Sequence, residues 1–154
     1  VFLPTIIKVE FFMKNLAISD AQLVDLEWKS SSLVIVNEES YLLRRFGQIE
    51  LVKVEEGVRS NFLIHSRADV VMSVAYGGVI VHMLDTREAS PSFENEMDIR
   101  LDDRRPQAVL IPFGVAFRYE GVRDGIIIVV KTHSDQQTTD DIKIPFSDLA
   151  GKIK

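Results

Sequence analysis

No cysteine occurs among the 154 residues, which excludes disulfides, thiolate catalysis and cysteine-ligated zinc. Basic residues are in the minority: 18 Lys and Arg against 23 Asp and Glu leave a formal net charge of −5. Phosphate-backbone binding needs a basic face, so this balance argues against a nucleic-acid partner. No apolar run is long enough to cross a membrane as a helix, because charge interrupts each one within a few residues. There are no internal repeats and no low-complexity tract. With no secretory feature either, a cytoplasmic location is the default expectation.

The remaining composition is that of an ordinary folded protein. Apolar residues make up 46% and charged residues 27%, so one domain spanning 1–154 with a real core is expected. The first twelve residues, V-F-L-P-T-I-I-K-V-E-F-F, are strongly apolar, but Lys8 and Glu10 interrupt them and no basic leader precedes them. They read as a strand or arm that packs on something, such as a neighbouring subunit, or as an extension upstream of a natural start at Met13.

From Asn15 the chain reads as successive short strands at 21–28, 33–36, 41–46, 48–54, 58–65, 70–76, 79–85, 96–101, 108–111, 116–119 and 125–132. Gly77-Gly78 reads as a tight hairpin between two of them, and Trp28 as a core or interface anchor. The strand at 48–54 sets Ile49, Leu51 and Lys53 against Glu50, Val52 and Val54, so neither face is cleanly polar. A polar tail follows His133, then a possible strand at 142–144. Pro145-Phe146-Ser147-Asp148 fits the cap of a short C-terminal helix. Short strands at this spacing predict an all-β sandwich or barrel.

Three stretches carry a resemblance over about half the chain. G-G-V-I-V-H-M-L-D-T-R-E-A-S-P-S-F, P-Q-A-V-L-I-P-F-G-V-A-F, and Val58-Arg59 ahead of 70–76 fall in order and at the spacing of family motifs. The chain thereby resembles the cupin family of dTDP-4-dehydrorhamnose 3,5-epimerases and related dTDP-sugar epimerases and isomerases. The resemblance implies a double-stranded β-helix jelly roll, no cofactor, a nucleotide-sugar ligand, and a homodimer that exchanges N-terminal strands, which would give the arm at 1–12 a partner.

The family reaction removes a proton beside a keto group and returns it to the other face. It needs a general base, a stabiliser of the enolate oxygen and a general acid. Three residues on from Arg59, where the resemblance places the base, stands Phe62. No lysine occurs at 69–71, Val130 takes the place of the acidic tyrosine, and Phe117 replaces the histidine after the Pro-x-Gly turn. The carboxylate partner of the base would fall roughly at Asp140 or Asp141. The resemblance therefore implies a dTDP-sugar epimerase-like protein of nucleotide-sugar biosynthesis without the ordinary 3,5-epimerase chemistry. It would bind a sugar or sugar nucleotide in a pocket lined by Arg59, Phe62, Phe117 and Tyr119. The alternative is an active epimerase or isomerase of a 4-keto-6-deoxy nucleotide sugar with relocated groups, His65 or His82 as base and Tyr119 as acid.

The candidate residues carry structural readings as well. Arg59 suits a bidentate phosphate contact, and equally a pair with Glu50, Glu55 or another acid. Asp85 and Arg87 read as turn chemistry. His65 faces away from Phe62 by strand alternation unless a bulge intervenes. His82 suits either a satisfied barrel histidine or a pocket group, and His133 a solvated tail position. Tyr41 and Tyr76 are further hydroxyls with the same ambiguity. No His-x-His occurs, so no metal site is predicted.

Overall fold

A computed structural model describes residues 17–40, 42–136 and 141–144. The expected arm at 1–12, Tyr41 and the expected helix at 145–148 lie outside the described residues. Among the described residues ten strands appear: β1 (Gln22–Asp25), β2 (Trp28–Lys29), β3 (Ser32–Leu33), β4 (Gln48–Val54), β5 (Phe62–Ile64), β6 (Val70–Asp85), β7 (Glu96–Asp102), β8 (Gln107–Ile111), β9 (Val115–Lys131) and β10 (Ile142–Ile144). No helix occurs among the described residues.

Two long strands, β6 and β9, run antiparallel through the whole molecule and belong to two sheets at once. Their first and last halves are paired in opposite order, with register shifts between Val74 and Val79. On one side of that bend the strands lie in the order β1, β8, β6, β9, β4, and on the other β7, β6, β9, β5, β10. Two antiparallel sheets sharing bent strands make a jelly roll, the double-stranded β-helix of cupins.

The expected Gly77-Gly78 hairpin is therefore corrected. The glycines sit inside β6, where Gly77 takes a φ of +89°. This bulged bend carries the strand from one sheet into the other. Opposite it on β9, a Cβ at Gly125 would run into the carbonyl oxygen of Tyr76. Glycine is needed there for close approach. The expected strands at 116–119 and 125–132 likewise merge into β9.

The main core lies between the sheets and includes Val70, Met72, Val79, Val81, Met83, Met97, Ile99, Leu101, Val109, Ile111, Phe117, Ile127 and Val129. β7 shows the simple logic, with Met97, Ile99 and Leu101 buried and Glu96, Asp98 and Arg100 outward. β4 inverts it: Gln48, Glu50, Val52 and Val54 turn inward, leaving Ile49 and Leu51 58% and 68% exposed. A second cluster, around Leu42, Val71, Ala108, Leu110 and Val130, lies beneath 24–43. Trp28 is 60% exposed and is no core anchor. It sits on the two-residue strand β2, which pairs only with β3 and has no buried face to offer.

Candidate functional site

Strand alternation separates the candidate residues into two groups. Leu63 pairs with Phe117 and packs with it on the main core. Two residues on, His65 falls on the same inward face, its ring 5.8 Å from that of Phe117. Phe62 and Ile64 point the other way, packing with Leu84 and Ala116, and the Arg118 guanidinium lies 5.3 Å over the Phe62 ring. Phe62 therefore does not line a pocket with Phe117 and Tyr119, because one residue of offset on a strand reverses the side chain.

His65 is buried, and its Nδ1 lies 2.5 Å from Oδ2 of Asp141. The other carboxylate oxygen of Asp141 accepts the Ser66 backbone N–H at 3.0 Å and its hydroxyl at 3.3 Å. These bonds dock the start of the β10 segment against β5 and fix the carboxylate's aim. The imidazole Nε2 is buried with no hydrogen-bond partner among the described residues. Burial lowers the His65 pKa; the Asp141 carboxylate opposes the shift without cancelling it, and the Lys131 ammonium adds to it. The ring is thus neutral near pH 7, oriented by a carboxylate through Nδ1, with Nε2 as its open acceptor.

Lys131 ends β9 on the same inward face, beside Val70 on β6 and Gln48 on β4. Its ammonium lies 3.0 Å from Glu50 and 2.9 Å from Asp135. Gln48 ties this cradle together, its amide donating to Asp135 at 3.1 Å while its carbonyl accepts the Asp135 N–H at 3.0 Å. Burial alone would lower the Lys131 pKa, but the bonds to Asp135 and Glu50 outweigh it and raise the value. The bonds from Lys131 and Gln48 hold the Asp135 pKa low. Tyr119 packs against the main core, and burial followed by the Glu50 charge raises its pKa. Its hydroxyl is a protonated donor at neutral pH.

The remaining candidates lie elsewhere. Arg59 bridges to Glu120, its Nε 3.3 Å from that carboxylate, on the outward face that also carries His82 and Arg118. His82 bonds Asp98 through Nδ1, with Nε2 3.9 Å from Glu120. Asp85 is fully buried and accepts from Arg87 Nε at 2.8 Å, Ser92 Oγ at 2.6 Å and Ser90 Oγ at 2.7 Å. Burial would raise its pKa, but these donors hold it far below the usual carboxylate range. Arg87 also donates to the Ser19 carbonyl at 2.7 Å, so this cluster staples 17–20 to the β6–β7 turn. His133 is partly buried between Arg45 and Thr132. No arrangement of three or more His, Asp or Glu among the described residues is suited to a metal.

Sequence reasoning missed Lys131, Glu50 and Asp135. The signal was present in β4, where the apolar residues Ile49 and Leu51 alternate with Gln48 and Glu50. Either choice of face buries something unexpected, and only the burial of Val52 and Val54 decides it.

No protein-family model matches the sequence, and no curated protein matches it either. Solved structures do match. A dTDP sugar isomerase from Desulfovibrio desulfuricans G20 superposes with a TM-score of 0.76 at 19% identity, over 84% of this chain and 86% of that one. A dTDP-6-deoxy-D-glucose-3,5-epimerase from Legionella pneumophila Philadelphia 1, in complex with dTDP-4-keto-L-rhamnose, gives 0.76 at 18% identity over 91% and 80%. A 3'-monoepimerase from Streptomyces bikiniensis, in complex with dTDP-quinovose, gives 0.76 at 14% identity over 88% and 74%. The chain has the cupin jelly-roll fold, and within that class its fold is the one seen in dTDP-sugar epimerases and isomerases.

Proposed function

We propose that this protein is an isomerase or epimerase of a 4-keto-6-deoxy nucleotide sugar, with His65 as general base, Asp141 as the residue that orients it, and Tyr119 as general acid. The observation that carries the reading is the His65–Asp141 pair, whose Nε2 has no partner among the described residues. Carboxylate to Nδ1 with Nε2 left as acceptor is the arrangement a proton-abstracting histidine requires. The fold is shared with structures named for dTDP-sugar isomerisation and solved with dTDP-sugars bound, which supports a substrate of that class.

In the reaction, Nε2 takes the proton beside the ketone, the C–H electron pair becomes the carbon–carbon π bond of the enolate, and the carbonyl π pair moves onto oxygen. Asp141 stabilises the imidazolium that forms. Tyr119 returns a proton to the opposite face; the tyrosinate then recovers a proton from solvent and the His65 imidazolium releases its own to solvent, which restores both groups. Since Nε2 is covered, substrate entry displaces part of that cover. Phe117 offers a flat apolar wall on the same face.

A binding-only reading is favoured by one observation: lysine is absent from 69–71 and tyrosine from 130. Incubation with dTDP-4-keto-6-deoxy-D-glucose in D2O separates the two readings. The isomerase reading expects deuterium incorporation beside the ketone that His65→Gln abolishes. Thermal stabilisation by dTDP with no exchange would establish the binding-only reading instead. We further propose a homodimer, supported by the exposed Ile49 and Leu51 on the outer face of β4, and a cytoplasmic setting. No helix among the described residues is long and apolar enough to cross a membrane.

A further inference from the structure

The chain carries a net charge of −5, yet one stretch of its surface gathers cations. Arg59, the arginine suited by sequence to a phosphate contact, is held by Glu120 on the outward face. Three other arginines meet where the segment 44–47 lies against the residues that follow β5 and β9. Arg44 is committed there: its Nε lies 3.2 Å from Asp69, and its Nη2 donates to the Arg67 carbonyl at 3.2 Å. Its guanidinium also lies 5.5 Å over the Phe113 ring. Arg45 and Arg67 are exposed, and neither has a carboxylate partner among the described residues.

His133 completes the group. Its Nε2 lies 3.4 Å from Nη1 of Arg45, and its Nδ1 bonds the Thr132 hydroxyl at 2.9 Å. Burial lowers the His133 pKa, Arg45, Arg44 and Arg67 lower it further, and Asp69 opposes them. Backbone contacts set this spacing. The Gly47 N–H donates to the Lys131 carbonyl at 2.8 Å, and a Cβ at Gly47 would come within 2.4 Å of the His133 Cα. Like charges held together in this way repel, and a bound anion relieves the repulsion. A planar guanidinium matches two oxygens of a phosphate at once. An anion also favours the protonated imidazole, which turns Nε2 from an acceptor into a donor. Arg67 follows His65 by two residues, and two residues of chain reach at most about 7 Å. The cluster is therefore next to the general base.

We propose that Arg45, Arg67 and His133 form a binding site for a phosphate or diphosphate group, with both guanidiniums donating to its oxygens. That the group is the diphosphate of a nucleotide-sugar ligand rests on the reading above; the anion site itself does not.

The test uses the full chain with two probes, inorganic pyrophosphate and dTDP, following the His133 ring by NMR and affinity by calorimetry. Both probes are expected to move the His133 resonances and raise its pKa, with binding that weakens as salt rises. Arg45→Ala/Arg67→Ala alters only exposed side chains and should raise Kd for both probes about tenfold or more. Arg100→Ala/Arg104→Ala removes two exposed arginines at and just after β7 and should leave Kd within about threefold. An equal loss in that second pair would reduce the effect to net charge and overturn the site. If dTDP binds wild type and Arg45→Ala/Arg67→Ala within about threefold of each other, the site is overturned and the nucleotide-sugar reading stands. If pyrophosphate moves His133 and dTDP neither binds nor displaces it, the site stands with free phosphate as its ligand, and the nucleotide source is overturned. A wild type that binds neither probe overturns both.

Discussion

Replacing Asp141 by asparagine isolates the orienting carboxylate from everything else in the site. Its Oδ2 faces Nδ1 of His65 at 2.5 Å, and its Oδ1 accepts the Ser66 N–H at 3.0 Å. The amide retains an oxygen for Ser66 but loses the negative charge beside the ring. In the resting protein His65 is held neutral, mainly by burial, so the charge contributes little there. Exchanging one charge-assisted bond for a neutral one costs about 1 kcal/mol of stability. For a chain of this size that lowers Tm by about 2–4 °C.

The transition state is different, because the ring becomes an imidazolium in surroundings that disfavour charge. A hydrogen bond to a charged group is worth about 1.5–3 kcal/mol, which at about 1.4 kcal/mol per decade is a loss of about 10- to 150-fold in kcat. KM should barely move. Deuterium incorporation into dTDP-4-keto-6-deoxy-D-glucose, followed by NMR at saturating and subsaturating substrate, measures both. An Asp141→Asn protein that melts within a few degrees of wild type and keeps its kcat within about threefold would refute the general-base reading of His65.

The pH dependence follows from the direction of the His65 shift. Its folded pKa lies below the ordinary 6.5, so kcat/KM should fall on the acid side with an apparent pKa below 6.5, moving upward in Lys131→Met. The stability that neutral His65 contributes is complete above 6.5 and is lost as pH falls through the folded value, visible as a declining Tm that His65→Gln flattens. Asp85→Asn leaves the partly buried Arg87 against a neutral group and should cost about 1.5–3 kcal/mol in urea denaturation, with exchange activity per folded molecule unchanged. Arg59→Ala and His82→Ala, on the outward face, should leave kcat within about threefold; a larger loss in either would move the site to the other side of the sheet. Gly125→Ala drives a Cβ into the Tyr76 carbonyl and should cost about 3 kcal/mol or more by the same denaturation assay.

Strand content was legible in the longer runs, whereas the strand expected at 41–46 is irregular over 42–46 and that expected at 33–36 is strand only at Leu33. β7 alternates as a half-buried strand should, and the β-branched runs at 70–74 and 126–130 read as strands without help. What could not be read was where one strand ended. Gly77-Gly78 carries the local chemistry of a hairpin, yet β6 passes straight through it. A bulge and a turn ask for the same residues, and only the register with β9 distinguishes them. The site was legible in fragments: His65, Tyr119 and the region of Asp141 were each visible. The pairing of His65 with Asp141 was not, since the two are separated by 76 positions. Counting from Arg59 led to Phe62, which the fold turns to the opposite face.

The sequence by itself determined the class of protein. Absence of cysteine excluded thiol chemistry, β-branched alternation indicated an all-β sandwich or barrel, and the resemblance carried by the Asp-x-Arg and Pro-x-Gly stretches implied the jelly roll. These are local properties, written in neighbouring residues and in the period of two along a strand. The tertiary structure alone decided which face is inward, and with it which residues share a site. Facing depends on pairing between distant strands, where a shift of one residue inverts every side chain. That is why Glu50, an apparently solvent-facing acid between two apolar residues, turns to the inward face and pairs with Lys131, its side chain only partly buried.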